Sequence, residues 1–182
     1  MSSLMRKARC SVVLLASLAV LGLAGVTRAQ EGAQPKKPIT TSEAVVGNWN
    51  YVGSNLITMA EDWPEEKYGY QPNASVRTFQ QVLPHVAGSN CNLLNQASGS
   101  KMGDGRNGPP IAECKTKVQV VEFLKKSVAD GAAEIKKEGD AGIAKHLDDW
   151  IGYTEHMGEH YDLLVAYYRI NGVVPPASRR KK

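Results

Sequence analysis

Four segments of this chain carry apolar residues three and four positions apart, the spacing that places side chains on one face of an α-helix. The pattern is longest in the last segment, where the spaced residues are Trp150, Tyr153, Met157, Leu164 and Tyr167. No segment shows the alternating pattern of a β-strand or the turn signal of a hairpin. The sequence therefore predicts an all-α protein, an antiparallel four-helix bundle whose helices bury their apolar faces in one core.

Capping signals predict where the helices begin. Thr40 precedes Glu43 and Thr116 precedes Gln119, each at the spacing of a capping box. Gly and Pro residues end the segments and dominate the loop expected over residues 98–110. The predicted helices run from about Ser42 to Asp62, from Asn73 or Ser75 to near Ala97, from Thr116 to about Glu138, and from about Ile143 to Ile170.

The beginning of the chain has the pattern of an export signal. Arg6, Lys7 and Arg9 precede an apolar run from Val12 to Val26, and Thr27-Arg28-Ala29 offers a small-x-small cleavage signal. The run is short for a membrane span and no second one follows. We expect a signal peptide over 1–29, a linker over 30–42, the bundle over 43–176 and a basic tail over 177–182. The mature chain is then exported, periplasmic or secreted, without a membrane span.

Charge gives no support to nucleic-acid binding. Loss of the leader removes four of the 22 Lys and Arg residues and none of the 18 acidic ones, so the net charge of +4 becomes zero. A chain without a basic surface lacks the usual electrostatic footprint of a nucleic-acid partner.

Cys91 and Cys114 remain after loss of the leader. An even number of cysteines in an oxidising compartment favours a disulfide between them. A reactive or metal-binding pair is the functional alternative.

Three histidines are candidate metal ligands. His156 and His160 are four residues apart, so on a helix both imidazoles can reach one cation. His85 falls beside the apolar face of the second helix, where it is either a packed core histidine or a third ligand. Pro84 precedes it and removes a backbone donor inside that helix.

Three segments carry a resemblance to a known family. Residues 63–72 (WPEEKYGYQP), 79–90 (FQQVLPHVAGSN) and 155–171 (EHMGEHYDLLVAYYRIN) resemble DinB-like proteins of the DinB/YfiT superfamily. The resemblance covers nearly all of the mature chain. It implies an up-up-down-down four-helix bundle that is frequently a homodimer, with a divalent metal held by His85, His156 and His160.

Three neutral imidazoles leave zinc an open position, as in catalytic sites, and nickel also suits nitrogen donors. An open position can produce hydroxide or activate a thiolate. The resemblance therefore implies a metal-dependent thiol transferase or hydrolase acting on a small molecule. The alternative is a non-catalytic metal-binding or stress-associated bundle.

Four residues near the histidine pair are candidates for supporting the metal ligands or lining a pocket. Glu155 and Glu159 could hydrogen-bond to the ligands, and Tyr153 and Tyr161 could line a pocket, although solvation and core packing explain them equally. Residues 156–160 also spell His-x-x-Glu-His, the inverted zinc-peptidase motif, with Glu159 as its acid. That reading lacks the further carboxylate ligand that such enzymes need downstream.

Overall fold

The protein is described by a computed structural model over residues 38–98 and 114–179. The predicted signal peptide, most of the linker and nearly all of the predicted loop lie outside these residues. Within them the chain forms no β-strand and four α-helices, which confirms the all-α prediction. The helices are α1 (Thr41–Asp62), α2 (Phe79–Ser98), α3 (Lys117–Ile143) and α4 (Leu147–Ile170), and short 3-10 helices cover Glu65–Lys67 and Pro176–Ser178. None of the described helices combines the length and the apolar character required to cross a membrane.

Both predicted capping boxes are formed. The Thr40 hydroxyl accepts from the backbone N–H of Glu43 at 3.2 Å, and the Glu43 carboxylate accepts from the N–H of Thr40 at 2.8 Å. Thr116 and Gln119 repeat the arrangement at the start of α3. Each box satisfies two N–H groups that would otherwise lack partners, which is why these ends could be read from the sequence.

The second helix begins later than predicted, at Phe79 rather than near Asn73 or Ser75. The Asn73 side chain accepts from the N–H of Ser75 at 2.9 Å and so closes a turn instead of capping a helix. Further on, the N–H of Phe79 donates to the carbonyl of Tyr70 at 2.8 Å. These local bonds hold residues 70–78 in an irregular conformation. This segment, the irregular crossing, leads from the end of α1 to the start of α2.

The boundary between α3 and α4 also differs from the prediction. Gly139 adopts φ 60° and breaks α3 just after the predicted end at Glu138, a short helical stretch continues to Ile143, and α4 begins at Leu147 instead of near Ile143. Glycine tolerates this left-handed conformation because it has no Cβ. Beyond the kink, the Asp140 carboxylate accepts from the N–H and the hydroxyl of Ser42 at 2.8 and 2.6 Å. The end of α3 is thereby fastened to the start of α1.

Aromatic side chains fill the core from one end to the other. Trp49, Trp63 and Trp150 are completely buried. Trp63 stacks on Phe79 with ring centroids 4.8 Å apart, and Trp49 packs edge-on against Trp150 at 5.4 Å. Burial of such large rings supplies much of the favourable free energy of folding.

The helix ends do not meet as an up-up-down-down order requires. In that order α1 and α2 are parallel, so the end of α1 and the start of α2 lie at opposite ends of the bundle. The stacked Trp63 and Phe79 place these two ends together. Lys117, at the start of α3, donates to the carbonyls of Glu61 and Trp63 at 2.6 and 2.8 Å. The predicted order is therefore wrong for the first two helices.

Candidate metal centre

The structure brings His85, His156 and His160 together between α2 and α4. The Nε2 atom of His156 lies 3.2 Å from Nε2 of His85 and 3.2 Å from Nε2 of His160. One nitrogen of each ring can be chosen so that all three lie within 4.8 Å of one another. Two of the rings come from one face of α4, as their spacing predicts, and the third crosses from α2.

Packing on both sides fixes the positions of these rings. Val86 follows His85 and Met157 follows His156, and both are completely buried. The buried amide of Asn90 donates to Ser127 Oγ at 3.2 Å and to Met157 Sδ at 3.5 Å, which ties α2, α3 and α4 together beside the histidines. Because neighbouring side chains are locked in the core, the imidazoles have little freedom to separate.

Burial keeps the three histidines neutral. The pKa of His85 and of His160 is lowered to about 4, mainly by burial, with smaller contributions from the neighbouring imidazoles and the charge of Arg77. The pKa of His156 is lowered by burial and by Arg77, while the charge of Glu159 opposes this. Only the neutral imidazole has a lone pair for a metal, so at neutral pH the cluster is in its metal-binding form.

The separations between the rings suit a metal ion. Zinc binds imidazole nitrogen at about 2.0–2.1 Å, so two tetrahedral ligand nitrogens lie about 3.3 Å apart. The two Nε2 separations of 3.2 Å are close to this value. The donor set of three imidazoles fits zinc or nickel and offers no oxygen ligand to a harder ion such as magnesium.

Hydrogen bonding alone satisfies the cluster poorly. A neutral imidazole nitrogen carries either one hydrogen or one lone pair, so it cannot donate to one neighbour and accept from another. Nε2 of His156 has two such neighbours at 3.2 Å. A cation that accepts all three lone pairs would satisfy every Nε2 atom at once.

The predicted neighbours take no direct part in the described site. Within the described chain, the Nδ1 atoms of His156 and His160 are buried without a hydrogen-bond partner, so neither glutamate nor tyrosine bonds to them. Glu155 and Glu159 are exposed, and Tyr153 and Tyr161 are partly buried and packed against the core. Their supporting role stays a prediction, and the exposed Glu159 gives the peptidase reading no support.

Arg77 is the residue that sequence reasoning missed. Its charge lowers the pKa of all three histidines. The hydroxyl of Tyr167 donates to the Arg77 carbonyl at 2.6 Å and so joins α4 to the segment before α2. No periodic pattern could place Arg77 near the histidines, because it lies in the irregular crossing.

The predicted disulfide between Cys91 and Cys114 is not formed. Both side chains are buried, and Cys91 has a free thiol whose pKa is raised by burial. The carbonyl of Cys114 accepts from the side-chain amide of Gln80 at 2.9 Å, at the start of α2. Cys91 lies three turns further along α2, about 16 Å away along the helix axis, whereas a disulfide needs Cα atoms within about 7 Å.

Comparisons with protein-family models, with curated proteins and with solved structures found no match to this chain. The chemical case for a function therefore rests on the histidine cluster itself.

Proposed function

We propose that the protein binds a divalent metal, zinc or nickel, through the Nε2 atoms of His85, His156 and His160. The observation that carries this proposal is the pair of 3.2 Å contacts that share Nε2 of His156. One nitrogen atom can serve both contacts only by sharing a single hydrogen or lone pair in a weaker three-centre bond, whereas a shared cation satisfies them together. The lowered pKa values support it, because the rings need no deprotonation before they bind.

The proposed activity is that of an exported, DinB-like, metal-dependent thiol transferase or hydrolase with a small-molecule substrate. A metal with an open position supplies either bound hydroxide or an activated thiolate. His85, His156 and His160 would hold the ion, and the packing of α2 against α4 holds the imidazoles in place. The resemblance to DinB-like proteins is the second support for this activity, and it extends to a homodimer.

The helix order that we propose is up-down-down-up. Its supports are contacts between helix ends: Ser42 with Asp140 for an antiparallel α1 and α3, and Tyr167 with Arg77 for an antiparallel α2 and α4. This order keeps the histidine-bearing faces of α2 and α4 side by side. It replaces the order implied by the family resemblance.

A second candidate is a metal-binding bundle without turnover. It is favoured by the exposure of Glu155 and Glu159, which leaves the cluster of potential ligands without a carboxylate. Hydrolases commonly use such a carboxylate as a general base near the metal-bound water.

Metal analysis of single variants tests the binding proposal. Wild-type protein incubated with zinc or nickel and then desalted should retain one metal ion per chain. His85→Ala, His156→Ala and His160→Ala should each lose most of it, because two remaining imidazoles bind far more weakly than three. His146→Ala is the matched control, since His146 pairs with Asp149 at 3.8 Å outside the cluster. The site would be contradicted if the wild-type protein retained no metal after desalting, or if all three variants retained as much metal as the wild-type protein.

Turnover separates the two candidates. Metal-loaded and metal-free protein should be compared with a thiol plus an electrophile and with simple esters. Activity that appears only with metal and disappears in His160→Ala supports the enzyme. A fully loaded protein that converts none of these substrates supports the binder.

A further inference from the structure

A cleft of about 540 Å³ opens beside the histidine cluster, lined by Ser75, Val76, Arg77, Gln81 and Leu163. Gln81 lies one helical turn before His85 on α2, and Leu163 lies three residues after His160 on α4. Side chains at these spacings have Cβ atoms about 5–6 Å apart. The cleft is therefore lined by one residue from each histidine-bearing helix, about one turn from the cluster, and by three residues of the segment before α2, and its volume is typical of small-molecule sites.

Arg77 is the charged residue in the lining of this cleft. The Tyr167 hydroxyl holds its backbone carbonyl at 2.6 Å, which anchors the residue without using its guanidinium group. The side chain is exposed, and among the described residues no carboxylate forms an ion pair with it.

With a divalent ion bound, the region around the cleft would carry a net positive charge, which favours an anionic ligand. Three neutral imidazoles would leave the charge of a divalent ion uncompensated, and Arg77 adds a further positive charge nearby. The acids next to the ligands, Glu155 and Glu159, are exposed. An incoming negatively charged group would therefore be attracted to the space between Arg77 and the metal.

We propose that this cleft binds the carboxylate of a small anionic substrate, with Arg77 as its partner, while the other end of the substrate reaches the metal. The inference rests on the proposed metal site and names the substrate class for it: a short thiol that carries a carboxylate. A guanidinium group suits this task because it can form two parallel hydrogen bonds with one carboxylate.

The rest of the lining agrees with such a substrate. Gln81 accepts from the N–H of Thr78 at 2.9 Å through its Oε1 atom, which leaves its NH₂ group as a donor. Val76 and Leu163 provide an apolar surface for a short carbon chain. Gln81 and Leu163 place one end of the cleft about one turn from the imidazoles, so the proposed substrate is a short molecule.

Thiol binding to the cobalt(II)-loaded protein tests the inference, because a thiolate bound to cobalt gives a charge-transfer absorption band. We compare 3-mercaptopropionate with 2-mercaptoethanol, which has the same reactive group and no carboxylate. The carboxylate-bearing thiol should bind about tenfold more tightly, the size expected for a charge-assisted hydrogen bond. Arg77→Gln should remove this preference and leave 2-mercaptoethanol binding unchanged. Arg169→Gln, which changes an exposed arginine outside the cleft, should retain it.

The outcomes distinguish the inference from the function on which it rests. Equal affinities for the two thiols in wild-type protein, or a preference that survives Arg77→Gln, would overturn the anion cleft and leave the metal site intact. Absence of a cobalt band with either thiol would overturn the thiol-binding metal centre, and the cleft proposal with it.

Discussion

At the scale of single residues, the histidine cluster makes the stability of the metal-free protein depend on pH. Burial is the main reason why the pKa values of His85 and His160 fall from the ordinary 6.5 to about 4. The unfolded chain has no such burial, so its histidines take up protons at a higher pH than those of the folded protein. The rings that suit a metal at neutral pH therefore make the fold sensitive to acid.

We predict that the unfolding free energy of the metal-free protein decreases as the pH falls from about 6.5 to about 4. In this window the unfolded state binds more protons than the folded state, so each fall in pH favours unfolding. Below pH 4 both states are protonated and this contribution levels off. Urea denaturation at several pH values measures the effect.

His85→Gln serves as the comparison for this measurement, because it removes one of the titrating rings and keeps a polar side chain. Its unfolding free energy should decrease less steeply over the same pH window. The same slope for the variant and the wild-type protein would show that the titration of His85 does not contribute.

At the scale of helices, a close contact between α1 and α3 depends on glycine. A Cβ atom at Gly131 would lie 2.3 Å from Cζ2 of Trp49, a distance that real Cβ atoms do not show. Trp49 cannot easily retreat, because it is completely buried and its Nε1 atom donates to the carbonyl of Val128 at 2.9 Å. Gly131 is therefore required for the approach of these helices rather than for a turn.

We predict that Gly131→Ala lowers the unfolding free energy by about 1–3 kcal/mol, the usual cost of overpacking a core. Gly47→Ala is the matched control, since Gly47 lies in α1 with nothing within 4 Å of its added Cβ. That change should raise the unfolding free energy by up to about 1 kcal/mol, because alanine favours a helix more than glycine. Urea denaturation measures both, and a neutral Gly131→Ala would disprove the close contact.

At the scale of the whole molecule, the C-terminal segment returns to α1. Arg179 forms two hydrogen bonds with Asp62, of 2.7 and 2.6 Å, and its Nε atom donates to the carbonyl of Val174 at 3.0 Å. The Asp62 carboxylate also accepts from the hydroxyl of Tyr168 at 3.1 Å, and its pKa is lowered mainly by Arg179. The first residues of the predicted basic tail are exposed but are anchored to α1 through Arg179.

We predict that Arg179→Gln loosens this segment with a loss of at most about 1 kcal/mol in global stability, the range for exposed ion pairs. Hydrogen exchange should become faster at residues 173–179, while α2 and α3 keep their protection. Lys136→Gln, which changes an exposed lysine on α3, should have no such effect. Unchanged exchange in Arg179→Gln would indicate that packing alone holds the segment.

Much of the secondary structure of this protein could be predicted from local sequence patterns. The two capping boxes, the apolar face of α4 and the placement of His156 and His160 on one face were predicted correctly. Each depends on backbone geometry over a few residues, and that geometry is the same in any helix. For this reason the sequence by itself determined the helical class and two of the three clustered histidines.

Only the tertiary structure decided how remote segments meet. It placed His85 against the histidines of α4, brought the end of α1 to the start of α2, and kept Cys91 apart from Cys114. It also brought the charge of Arg77 to the cluster from an irregular crossing. Such contacts depend on how all the apolar faces pack at once, and no spacing along the chain records that result.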